Sequence, residues 1–253
     1  MVEVALHIKN THIGYGAATV LRDLTLPPLS GGRVVGLLGP NASGKSTLIR
    51  TITGIHPLQS GEVSLELDGV TCGPAERRKA CGYVPQDLPT TASLTAFETA
   101  LVAARRQCAT PVERTAEVFH ELQIDHIAHR YLGELSGGQR QLVGAAQMLV
   151  GQAAVMLLDE PTSALDLHHQ LFLLQHLRER ALREGSLVIG ALHDVNLATR
   201  FCDTLLLLHN GQLHSSGTPA EVVQPEAIRQ VYRVEAEIVD HHGMPIMTPQ
   251  HAC

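Results

Sequence analysis

The chain has 253 residues, 44% hydrophobic and 17% charged, with aromatics at 3%, no Trp and a net charge of −6 with His neutral. That length supports one large domain, or a domain with a smaller insert, around a core of Leu, Val, Ile and Ala. The acidic balance argues against a nucleic-acid groove and against an electrostatic grip on anionic lipid.

In chain order, the opening MVEVALHIKN carries an acid early, unlike a signal peptide. Val4, Leu6 and Ile8 alternate with Ala5, His7 and Lys9, the pattern of a half-buried strand, and Val20–Leu26 pairs with it. RVVGLL, residues 33–38, is an apolar run ending in a glycine-rich turn, the mark of a central parallel strand. A helix follows from Lys45 to Thr53, stopped at Gly54. Glu62–Gly69 is a strand plus turn, and Gly82–Gln86 a strand end. From Thr95 to Leu132 the pattern turns helical.

Val155–Glu160, Ser186–His193 and Thr204–Leu213 are further strands, separated by helices at Asp166–Arg183 and Asp194–Phe201. Leu167, Leu171 and Leu174 fall on one face of the first of these helices. The end, HHGMPIMTPQHAC, is polar and proline-bearing, with a loose tip expected. Apolar strands alternating with helices give an α/β core in a single domain over 1–253, interrupted by a helical insert at about 88–150. No apolar run approaches the roughly 20 residues that span a bilayer, so the chain is soluble or held at a membrane by other proteins. Cys72, Cys81, Cys108, Cys202 and Cys253 have neither zinc-knuckle nor redox spacing and fit a reducing cytosol.

GPNASGKST, comprising Gly39, Pro40, Asn41, Ala42, Ser43, Gly44, Lys45, Ser46 and Thr47, satisfies the P-loop pattern between an apolar strand and a helix. Backbone N–H groups of such a loop favour phosphate oxygens. By the roles of the P-loop class, Lys45 reaches the β- and γ-phosphates and the Ser46 hydroxyl ligates Mg²⁺. VMLLDE then delivers Asp159 and Glu160 to a strand's carboxyl end, where open α/β sheets bind ligands. Asp159 suits the Mg²⁺ shell, and Glu160 is free to polarise an attacking water.

With Tyr15 in IGYG, then GPNASGKST, YVPQ, LSGGQRQ, VMLLDEP, SALD and ALHD in that order, nearly the whole chain resembles the nucleotide-binding subunits of ATP-binding cassette (ABC) transporters. The resemblance implies a P-loop NTPase core of ABC ATPase type, with an antiparallel β subdomain and an inserted α-helical subdomain. It implies head-to-tail pairing with a second copy, each signature stretch facing the other copy's P-loop. Ser136, Gly137 and Gly138, with Gln139, would then meet the γ-phosphate of ATP bound across the interface. A helix N-terminus attracts an anion, and glycines permit close approach.

The same resemblance implies that Tyr15 stacks on adenine, that Gln86 touches Mg²⁺ or the attacking water, and that His193 bonds the γ-phosphate. Asp166 lines the subunit interface or caps the next helix. His168 and His169, adjacent on a helix, point about 100° apart and are poor joint metal ligands. Two positions depart from the family pattern: Ala42 stands where Gly is frequent, and Leu142 where many members carry Arg.

The implied partners are transmembrane permease subunits, met through residues 87–94 beside Gln86, and indirectly a substrate-binding protein, at the cytoplasmic face of the inner membrane. Nucleic acid is not an implied partner. YLGELSGGQRQLVGAAQ and EPTSALDLHHQ look most like subunits that energise ferric-siderophore uptake, with haem and vitamin B12 importers closely related. A soluble cassette ATPase of a cluster-assembly scaffold carries the same motifs and stays open.

Overall fold

Val4, Leu6 and Ile8 are buried on one face of β1 (Val4–Tyr15), as the alternation of a half-buried strand requires. In the computed structural model, which describes residues 2–16, 18–88 and 93–253, β1 leads to β2 (Ala18–Leu24), β3 (Leu29–Ser30), β4 (Arg33–Leu38) and α1 (Lys45–Ile52). Next come β5 (Ser60–Leu67), β6 (Val70–Thr71), α2 (Pro74–Ala80) and β7 (Cys81–Val84). Helices α3 (Ala96–Ala104), α4 (Pro111–Glu121) and α5 (Gly137–Leu149) precede β8 (Val155–Asp159). Then follow α6 (Leu167–Glu184), β9 (Leu187–Ala191), α7 (Val195–Phe201), β10 (Thr204–His209) and β11 (Gln212–Gly217). The chain closes with α8 (Pro219–Val222), α9 (Pro225–Tyr232), β12 (Val234–His241) and β13 (Met244–Ala252).

The central sheet runs β11-β10-β4-β9-β8-β7. Its pairs from β10 to β7 are parallel, and β11 closes one edge antiparallel. A second, antiparallel sheet runs β2-β1-β5-β6, with β3 on β1. The parallel strands are apolar on both faces because both are covered. Val35, Leu37, Leu157, Ile189 and Leu206 face the cluster shared with α1 and the antiparallel sheet. Val34, Leu38, Met156, Leu158, Val188 and Leu207 face the cluster built with α3 to α7. Successive residues of one strand thus anchor two layers at once.

One expectation is borne out in finer detail and two need correction. The stretch 95–132 is two helices, α3 and α4, followed by single 3-10 turns at Asp125–Ile127 and Leu132–Glu134. On α6 the buried face is Leu173, Leu174, Leu177 and Ala181, while Leu167 is 68% exposed. Leu167 sits in the first turn, before the helix crosses the core, so its periodicity misleads. The C-terminal tip is not loose: β13 pairs along β12, and the Cys253 N–H donates to Arg233 O at 2.9 Å. Val234, Ala236, Ile238 and Met247 pack on the core, which holds the hairpin in place.

Candidate active site

Gly44 holds φ 104 just before α1, a left-handed conformation that glycine adopts without strain. The turn aims loop N–H groups and the start of α1 into a cleft of about 570 Å³, lined by Val20, residues 41–47, Gln86, Glu160 and His193. Lys45 is buried, and its ammonium donates to Gly39 O at 2.7 Å and Pro40 O at 3.1 Å. Burial holds its pKa below the usual lysine value, against the opposing pull of Glu160 and Asp159. An arriving polyanion would favour its charged form. Ala42 adopts φ 62, a conformation that costs a residue with a Cβ.

Parallel strands bring the other groups to the same edge. Gln86, Asp159 with Glu160, His193 and Gly39 follow or end β7, β8, β9 and β4, four consecutive neighbours in the sheet. Asp159 is fully buried, and its Oδ1 accepts from Ser46 Oγ at 2.7 Å. Its Oδ2 has no hydrogen-bond partner among the described residues, with Arg50 Nη2 at 3.8 Å. Burial raises the Asp159 pKa, while Ser46 and Arg50 act to lower it. Glu160, at φ 54, accepts from Gln86 Nε2 at 2.8 Å through Oε2. The His193 Nε2 lies 2.5 Å from its Oε1. A strained backbone that aims a carboxylate into a cleft points to function rather than packing.

Ser136 caps α5: its Oγ accepts from Gln139 N at 3.2 Å, and Gln139 Oε1 accepts from Ser136 N at 3.0 Å. Gly138 packs so close to the loop after β8 that a Cβ there would stand 2.7 Å from Ala164 O. None of Ser136, Gly137, Gly138 and Gln139 lines the cleft, so one chain does not bring the signature to its own P-loop.

A profile described as ABC transporter matches residues 22–163, from within β2 to beyond Glu160. The chain belongs to the ABC transporter family. As an ABC cassette it binds ATP and is an ATPase. Its relatives include the Hemin import ATP-binding protein HmuV of Pseudomonas aeruginosa, 40% identical over 96% of this chain and 98% of that protein. HmuV of Photobacterium damselae subsp. damselae is 32% identical over 96% of each. An inward-facing ABC transporter assigned to the metal-chelate type superposes with a TM-score of 0.82 over 98% of both chains, at 24% identity. A bacterial ABC transporter cassette solved as a dimer gives 0.74 at 25% identity, covering 85% of this chain and 98% of that one.

Tyr15 of the cassette is 49% exposed and does not line the phosphate cleft. Its ring meets His56, centroids 4.3 Å apart, while His56 Nε2 lies 2.9 Å from Gly14 O. Asp166 is the N-cap of α6, accepting from His169 N at 2.9 Å and close to His169 Nδ1 at 2.8 Å. Leu142 is buried in the core behind the signature. Of the segment 87–94, residues 89–92 lie outside the described residues. No described helix is long and apolar enough to cross a membrane.

Sequence reasoning missed several supports of this site. Gln141 is buried on α5: its Nε2 donates to Glu160 O at 3.1 Å and Ser163 Oγ at 2.7 Å, and its Oε1 accepts from Ala164 N at 3.0 Å. Arg50 donates from Nε to Tyr83 OH at 3.3 Å and stands beside Asp159. The signal for Gln141 was available in LSGGQRQ, where a second Gln falls on the apolar face of a helix. Nothing in the sequence pairs Arg50 with Tyr83.

Proposed function

We propose that this cassette is the ATP-hydrolysing motor of an ABC importer for an iron chelate, and that the cargo is haem rather than a ferric siderophore. For hydrolysis, the observation that carries the reading is Glu160, met by Gln86 on one carboxylate oxygen and by His193 on the other, at the mouth of the P-loop cleft. For cargo, it is the hemin-import names of relatives 32% and 40% identical over nearly the whole chain.

In this reading Lys45 and the N–H groups of residues 41–47 hold the β- and γ-phosphates. Glu160 orients a water in line with the γ-phosphorus and takes its proton, and Gln86 keeps that carboxylate in register. His193 donates to the γ-phosphate, where charge develops. Ser46 and Asp159 fit Mg²⁺: they form a hard-oxygen pair, and the orphaned, buried Asp159 Oδ2 needs a cation or water. When bound, Mg²⁺ would neutralise charge between the phosphates.

The second copy completes the site. Ser136 Oγ accepts a hydrogen bond in the cap, which leaves its O–H free to donate. The first N–H groups of α5 likewise have no partner within their own helix. Opposed head to tail, these donors would close over the other copy's γ-phosphate; that a similar bacterial cassette is dimeric supports the pairing. The pair would sit on permease subunits at the cytoplasmic face of the membrane, fed by a substrate-binding protein.

The test is ATPase stimulation of the permease-bound complex in liposomes, with substrate-binding protein loaded with haem or with ferric siderophore. Stimulation and uptake with haem alone support the reading. Stimulation by the ferric siderophore alone returns the cargo to that class, and stimulation by neither removes both.

A further inference from the structure

Gly39 opens the P-loop, and its two polar groups are engaged on opposite sides. Its carbonyl accepts from the Lys45 ammonium at 2.7 Å. Its N–H donates to the phenolic oxygen of Tyr232 at 2.9 Å, across 193 residues of sequence. The junction accepts only glycine: at φ 143, a Cβ on Gly39 would stand 2.3 Å from Leu208 O and 2.7 Å from Ser43 Oγ.

Tyr232 is the last residue of α9, and Arg233 after it takes φ 56, turning the chain into the β12–β13 hairpin. That hairpin is bolted to the opposite side of the site. Asn196 Nδ2 donates to Met247 O at 3.0 Å, and Met247 N donates to Asn196 Oδ1 at 2.8 Å. Asn196 lies in the first turn of α7, capped by Asp194, directly after His193. The C-terminal unit therefore reaches both the P-loop and the strand end that carries His193.

We infer that Tyr232 is a positioning residue for the phosphate-binding lysine: by holding the Gly39 N–H it restrains the Leu38–Gly39 peptide and, through the crowded Gly39, the next carbonyl, to which the Lys45 ammonium donates. The inference rests on the proposed role of Lys45. A phenol suits the task because its ring anchors in apolar surroundings while its oxygen accepts one buried N–H. Removing the oxygen leaves that N–H without a partner and lets the loop rotate to find one.

The experiment is a double-mutant cycle on the full-length chain, with ATP affinity read by calorimetry and folding by thermal melting. Tyr232→Phe is expected to weaken ATP about tenfold, the scale set by one unpaired buried donor. In a Lys45→Ala background the same change is expected to add nothing, which a purely structural tyrosine would not produce. An equal loss in both backgrounds, or no loss in either, overturns the inference. If Lys45→Ala itself leaves ATP affinity unchanged, the reading of the cleft fails with it, a distinguishable result. Hydrogen exchange of the Gly39 amide in the unmodified chain is independent of any variant's folding. Protection supports the bond to Tyr232, and exchange at the rate of an open loop overturns it.

Discussion

Glu160 and His193 are in direct contact, His193 Nε2 standing 2.5 Å from Glu160 Oε1, and Gln86 holds the second carboxylate oxygen at 2.8 Å. Glu160→Gln preserves the shape and removes the basic oxygen. Turnover is expected to fall at least about 100-fold, the range of general-base catalysis. ATP binding should persist, and an ATP-bound dimer should accumulate on gel filtration. Phosphate release at the wild-type rate would remove Glu160 from the mechanism.

Asp159 predicts an unusual pH response. Burial raises its pKa in the folded chain, so the native state holds that proton more tightly than the unfolded state does. Stability from this group is therefore present below the ordinary carboxylate range. It is lost as pH rises through the raised value and stays lost at neutrality. Asp159→Asn should melt above the wild type in metal-free buffer near neutral pH, with the gain vanishing in acid. It should also lose hydrolysis. Melting scans across pH, alongside phosphate release, check both halves.

Ala42 at φ 62 occupies a region that costs an L-residue about 1–2 kcal/mol. Ala42→Gly relieves that cost, partly offset by a more flexible unfolded chain. The net gain should raise the melting temperature by about 2 °C, with the KM for ATP unchanged. Calorimetric melting and steady-state kinetics together decide it; a lower melting temperature would show that the alanine is not strained.

Gln141 ties the signature helix to the loop carrying Glu160 through three hydrogen bonds. Gln141→Ala removes three half-buried hydrogen bonds, at about 1 kcal/mol of stability. Turnover should fall several-fold, while ATP affinity of the isolated chain holds, because no phosphate contact is lost. A rise in Kd matching the fall in kcat would place Gln141 in nucleotide binding instead.

The parallel strands and the P-loop were legible because their signals are local: an apolar run buried on both faces, then glycines where the backbone must turn. Leu167 was misread because helical periodicity tells which residues share a face, not where along the helix the core begins. The hairpin at Val234–Ala252 was missed because its polar, proline-bearing sequence gives little sign of docking. Its order comes from Met247 on Asn196 and from Ile238 on the core, contacts between distant parts of the chain.

The sequence alone determined the chemistry on offer: a phosphate loop, two adjacent carboxylates at a strand end, a glutamine, a histidine and a glycine-rich helix start. Their order resembles that of the ABC transporter family, whose profile matches residues 22–163. The tertiary structure decided their company. It set Gln86 against Glu160 across 74 residues, left Asp159 Oδ2 buried without a hydrogen bond among the described residues, and ran a link from Tyr232 to Gly39. Such contacts depend on strand order and sheet twist, which local propensity does not encode.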